Sequence, residues 1–216
     1  MSSEFIKNWE PRQESQIGSR IKQVFSPSLP LKSRIEYVCR MIDVQRMKLE
    51  QLYSRLYERD RRLFEYLVTY YLKHDMNRAN VYANEIAGVR KLAKVILQSK
   101  LALEAVRLRL DTVKEMGDVT MVVGPALSVI RNVRARLSSV LPEAERELTD
   151  IGNVISDILT EAGHPPTSQF TFETSNEEAE KVLYEAKTMA ERKLKESFIE
   201  IPSVAEKGKE TETESK

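Results

Sequence analysis

Most of what breaks, staples or activates a chain is missing from this sequence. Cys39 is the only cysteine among 216 residues. No disulfide can form within the chain, and nothing argues for an oxidising compartment. The 7 glycines are scattered singly, which leaves no phosphate-cradling loop. His74 and His164 are the only histidines, far apart and without neighbours at ligand spacing, so no metal site is expected. No run approaches the ~18 apolar residues of a spanning helix, and the N-terminus lacks the apolar core of a signal peptide. Carboxylates are abundant but read as solvated helix faces, and no nucleophile–base constellation is present. The expectation is a soluble, intracellular protein that is not an enzyme and needs no cofactor.

What is present is charge and helix-forming composition. Charged residues make up 31% of the chain, and Leu, Glu, Lys, Arg and Ala dominate, which points to long helices. The net charge of +1 hides a division. Residues 1–110 hold 21 Lys+Arg against 12 Asp+Glu, net +9, and residues 111–216 hold 13 against 21, net −8. Such a split suggests a basic half that meets an anionic surface and an acidic half that restrains it. The alternative is two solvated faces that differ by chance.

Residues 31–71 contain no Gly and no Pro, and their apolar residues follow a seven-residue repeat. One register is Ile35, Ile42, Leu49, Leu56, Leu63 and Tyr70; its companion is Leu31, Val38, Gln45, Leu52, Arg59 and Tyr66. Steps of four and three place both sets on one helix face. At ~1.5 Å per residue the rod is about 60 Å long and needs another long helix to cover it. That partner reads from Arg78 to Glu115, with the stripe Tyr82, Ile86, Val89, Ala93, Ile96, Leu103 and Leu110. The turn near Lys73-His74-Asp75 makes an antiparallel hairpin. Ala79, Ala83, Ala87 and Ala93 would let the rods approach closely. Arg34, Arg40, Arg46, Lys48 and Arg55 form a basic hairpin face.

Gly117-Asp118 reads as a stop and restart. Two shorter helices follow within 118–163, the first interrupted at Gly124-Pro125 and the second restarted by Pro142. A linker is expected through Ser175, then a last helix from Glu177 to Ser197 and a charged, disordered tail. The fold class is therefore all-α: a long basic helical hairpin, shorter acidic helices and flexible termini. The expected division is residues 1–30, a core of 31–163 with its hairpin in 31–115, and residues 164–216.

Residues 1–30 carry two short amphipathic pieces. Phe5, Ile6 and Trp9 with Lys7 form one; Ile17, Ile21, Val24 and Phe25 with Arg20 and Lys22 form the other. Aromatic tips with basic flanks suit an interfacial membrane anchor. They would serve equally as a satellite core under the rod. The basic first helix admits a nucleic-acid reading, but aromatics are not interleaved with the bases and the sequence pI is about 7.8. A flat anionic membrane fits better.

The middle of the chain resembles ESCRT-III-type proteins, specifically the archaeal cell-division (Cdv) members. The residues that carry this are Arg59-Asp60-Arg61-Arg62-Leu63-Phe64 and Arg78-Ala79-Asn80-Val81-Tyr82-Ala83-Asn84-Glu85-Ile86. Ala102-Leu103-Glu104, Leu108-Arg109-Leu110, Gly117-Asp118 and Pro125 complete it, from about Leu31 to Gly163. The resemblance implies a homopolymer that also meets ESCRT-III-type paralogues and anionic membrane lipid. Its filaments would remodel and constrict membrane in division or vesicle budding, on the cytoplasmic face of the cell membrane at the division site. It also implies an AAA+ ATPase with an MIT domain as partner. The chain is similar to the shorter members, without a winged-helix module. Phe198, Ile199, Ile201, Pro202 and Val204 are the nearest match to an MIT-binding motif, with one proline rather than several; a frayed helix end reads equally well. The competing class is a coiled-coil adaptor that never touches lipid.

Overall fold

The computed structural model describes residues 30–116, 119–162 and 169–199. Five helices account for nearly all of these residues, and no strand occurs among them. They are α1 (Leu31–Leu72), α2 (Met76–Met116), α3 (Val119–Leu137), α4 (Pro142–Glu161) and α5 (Gln169–Ser197).

The heptad stripe of α1 is its buried edge as far as Leu56, beyond which its members Arg59 and Tyr66 are exposed. Leu31, Ile35, Val38, Ile42, Leu49 and Leu56 are all buried, and they face Val89, Ala93, Ile96, Leu103, Val106 and Leu110 of α2. The two helices run antiparallel in one register, which side-chain pairs mark along its length. Asp43 accepts from Arg107 at 3.3 Å, Glu50 pairs with Lys100, and Asp60 pairs with Arg90. Ala79 and Ala93 lie in the seam as expected, whereas Ala87 faces solvent.

The turn between the rods is a Schellman motif. The Asp75 N–H donates to the Tyr70 carbonyl at 3.0 Å and the His74 N–H to the Tyr71 carbonyl at 3.0 Å. His74 holds the left-handed position, with φ of 57°. The Asp75 carboxylate then accepts from the Arg78 N–H at 3.2 Å and caps the start of α2.

Helices α3 and α4 form a second antiparallel pair laid on the base of the hairpin, α3 against α2 and α4 against α1. The base is therefore the main core, where Val123, Leu127, Ile130, Leu148, Ile151 and Ile155 join the hairpin stripe. Helix α5 crosses α2 and α3. Toward the tip, Leu67, Ala79 and Ile86 make a separate small cluster with Phe64, Tyr70 and Tyr82 packed against it.

Two sequence expectations fail. Gly124-Pro125 does not interrupt α3, which runs through Pro125. The proline removes one backbone hydrogen bond, and the buried side chains of Val123, Ala126, Leu127 and Val129 hold the helix around it. The linker expected through Ser175 is shorter, because α5 begins at Gln169. A polar stretch without Gly or Pro carries no stop signal, and packing of α5 on two helices outweighs its modest propensity. The expected stop at Gly117-Asp118 and the segments 1–29 and 200–216 lie outside the described residues.

His74 tests the turn directly. A left-handed non-glycine residue costs roughly 1–2 kcal/mol, and glycine returns part of that gain as unfolded-state freedom. His74→Gly should therefore raise unfolding stability by about 0.5–1 kcal/mol in urea denaturation. A loss of stability would show that the His74 side chain is itself needed at the tip.

Candidate functional site

The candidate site is the surface on which the acidic helices cover the basic hairpin. Two contacts fix α4 on α1. Arg34 pairs with Glu161 near the start of α1, and the Lys48 ammonium donates to both oxygens of Glu147 at 2.6 and 2.8 Å. The spacing is equal on both helices and opposite in direction, so α4 lies antiparallel to α1. The Gln45 amide also donates to Glu147. This accounts for the polar entry in the heptad stripe: Gln45 is buried because α4, not water, lies over it.

Helix α5 covers α2 in the same manner. Arg109 donates to Glu178 at 3.0 Å, and Lys94 pairs with Glu191 at 2.9 Å. Lys94 holds the Glu191 carboxyl below the ordinary carboxylate range. This contact is therefore kept above the unfolded value near ~4.3 and lost as the pH falls through the depressed one. Exposed pairs of this kind contribute about 0–1 kcal/mol each, so they set orientation while the apolar faces supply adhesion. Ala179, Val182, Ala186 and Ala190 are the buried face of α5.

At its far end α5 is fastened by Phe198. Its ring meets Tyr57 of α1 edge-on at 5.6 Å between centroids, and the Arg90 guanidinium lies 5.2 Å from its centroid. The same guanidinium grips Asp60 through two hydrogen bonds of 2.7 and 3.1 Å. Tyr53 sits alongside; burial pushes its phenol up, and a hydrogen bond to Ser197 offsets part of that rise. Phe198 is buried, and Ile199 is exposed. Ile201, Pro202 and Val204 lie outside the described residues, as do Phe5, Ile6, Lys7, Trp9, Ile17, Arg20, Ile21, Lys22, Val24 and Phe25.

The basic hairpin face is thus divided. Arg34 and Lys48 are engaged by α4. Arg46 is held within the hairpin by Asp43 at 2.7 Å and Glu104 at 3.3 Å. Arg40 and Arg55 are exposed and form no ion pair among the described residues. Buried Asp60 gave no warning in the sequence, where it stands between three arginines. The one available signal was its place one residue beyond the Arg59 heptad position. Beyond Asp60 the tip exposes Tyr66, Tyr71 and Leu72, with Tyr82 stacked between Tyr66 and Tyr70 at 5.4 Å from each.

Three Sulfolobus acidocaldarius proteins match this arrangement in sequence. Cell division protein B1 is 36% identical over 203 residues, covering 94% of this chain and 92% of that protein. The chain belongs to the archaeal Cdv cell-division proteins, of the ESCRT-III type. Within this Cdv family, cell division protein B is 33% identical over 80% of this chain and 66% of its own length. Cell division protein B3 is 30% identical over 56% of this chain. No protein-family model and no solved structure matches. Among the described residues no helix of this Cdv chain is long and apolar enough to cross a membrane. No cluster of His, Cys, Asp or Glu there could hold a metal ion.

The Asp60–Arg90 pair generates a prediction. Arg90→Ala leaves the Asp60 carboxylate buried and unpaired and should cost roughly 3–5 kcal/mol in chemical denaturation. The double variant Asp60→Leu/Arg90→Met removes both charges and should recover most of that loss. Equal stability of Arg90→Ala and the parent would mean that solvent reaches Asp60 freely.

Proposed function

We propose that this protein is a self-assembling filament subunit that works on the membrane in archaeal cell division, or in vesicle budding, without catalysing a reaction. The observation that carries the reading is the near full-length match to cell division protein B1. Its partners would be further copies, Cdv paralogues, anionic lipid and an AAA+ ATPase with an MIT domain that dismantles the polymer. The site of action would be the cytoplasmic face of the cell membrane. Lipid would be held by the anchor in residues 1–25 and by Arg40 and Arg55, with Arg34 and Lys48 added once α4 lifts. Ion pairs between the acidic helices and the hairpin support a resting form in which assembly is restrained. Phe198, Ile199, Ile201, Pro202 and Val204 would serve the ATPase.

Sedimentation with anionic vesicles tests the membrane reading against a soluble coiled-coil adaptor. The full chain should pellet with them, and a chain ended at Gly163 should assemble more readily, most of all at low salt. A protein that pellets neither alone nor with vesicles is the adaptor. Replacing Phe5, Ile6 and Trp9 with Ser should remove the salt-resistant part of vesicle binding, because each large side chain buried there contributes ~1–2 kcal/mol that screening does not touch. Normal binding with a lower melting temperature would make these residues a satellite core instead.

A further inference from the structure

A cavity of about 250 Å³ lies between α3 and α4, away from the contacts that hold α4 on α1. It is smaller than the ~300–1,000 Å³ of sites that enclose drug-sized molecules, so it suits a compact group. Polar side chains from both helices line it: Arg131 and Arg134 from α3, and Thr149, Asn153 and Ser156 from α4, with Gly152 between them. No carboxylate is among its lining residues.

Two features mark this cavity, the first of them shared with Arg40 and Arg55 on the hairpin. The first is uncompensated charge. Arg34, Arg46, Arg90, Arg107 and Lys48 all meet carboxylates. Arg131 and Arg134 meet none among the described residues, and Arg134 has only the Thr149 hydroxyl at 3.4 Å. They stand three positions apart on one helix, where like charges repel. The second is Gly152 in the middle of α4. After proline, glycine is the residue a helix interior tolerates least. Packing does not require it, since a Cβ there would meet only the Leu127 Cδ1 at 3.8 Å, an ordinary contact. What the missing side chain provides is open space beside the two arginines.

We propose that this groove binds a phosphate monoester. Two guanidinium groups match the oxygens of a phosphate dianion as paired donors. The Ser156 hydroxyl and the Asn153 amide supply further donors on the opposite wall, while the Thr149 hydroxyl, which donates to the Glu145 carbonyl at 2.8 Å, positions Arg134 by accepting from it. The phosphate could belong to a soluble compound or to a lipid headgroup, and the chemistry at the groove is the same for both. This site is independent of the hairpin surface invoked for assembly.

Calorimetric titration of the full chain with glycerol 3-phosphate tests the proposal, together with flotation on vesicles of phosphatidic acid or of phosphatidylglycerol at equal surface charge. Saturable one-site binding of glycerol 3-phosphate is expected. Loss of charged hydrogen bonds should weaken it at least ~tenfold in Arg131→Gln/Arg134→Gln. Gly152→Leu, which fills the groove, should do the same. Should that variant misfold, Gly152→Ala should bind more weakly while melting at a higher temperature, separating a filled groove from a damaged helix. Preference for phosphatidic acid over phosphatidylglycerol, lost in the double Gln variant, assigns the phosphate to a lipid. Glycerol 3-phosphate binding with no vesicle preference assigns it to a soluble compound. Absence of saturable binding, or binding unchanged in the double Gln variant, overturns the proposal.

Discussion

The seam between α1 and α2 is the constraint from which the rest of the structure follows. Two rods of about forty residues share one apolar edge, and neither is stable in water without the other. Burial of Ile35, Ile42, Leu49, Ile96, Leu103 and Leu110 aligns them. The Asp60–Arg90 pair, with Asp43–Arg107 and Glu50–Lys100, fixes which residue opposes which. Hydrophobic contact alone is non-directional and would tolerate a slip of one heptad. A buried carboxylate that must find one guanidinium tolerates far less.

The seam leaves the outer surface of the hairpin basic and its base apolar, and α3, α4 and α5 answer both. Their apolar faces close the core at the base, and Glu147, Glu161, Glu178 and Glu191 meet four cations of the rods. Adhesion and alignment thus come from different terms with different responses to solvent. Salt weakens the carboxylate contacts and leaves the apolar ones, so ionic strength alters how firmly the cover sits without unfolding it.

Much of this was legible in the sequence, for identifiable reasons. The hairpin followed from periodicity, because a stripe unbroken over six heptad positions has one physical meaning, and the charge division anticipated that the acidic helices lie on the basic ones. The misses arose where tertiary contact overrides local chemistry. Pro125 sits in a helix whose neighbours are buried, and α5 opens at Gln169 in a polar stretch that carries no stop signal. The tip turn lacked a glycine signal because His74 occupies the left-handed position itself. Asp60 looked like solvated charge, since only the fold brings Arg90 beside it. The resemblance to Cdv proteins, read from short motifs such as Tyr82-Ala83-Asn84-Glu85-Ile86, identified the family that composition alone could not.

The direction of α5 has a mechanical consequence. It runs antiparallel to α2, from Glu178 at Arg109 to Phe198 at Arg90, so its C-terminal end lies at Ile199, well up the rod. A force on the C-terminal end, directed away from the rod, therefore loads Phe198 first, then Glu191, and Glu178 last. Contacts that fail one after another resist far less than contacts loaded together, as a zipper does compared with a lap joint. The geometry lets a modest tug on one end strip the whole helix, while thermal motion, acting on every contact simultaneously, leaves it in place.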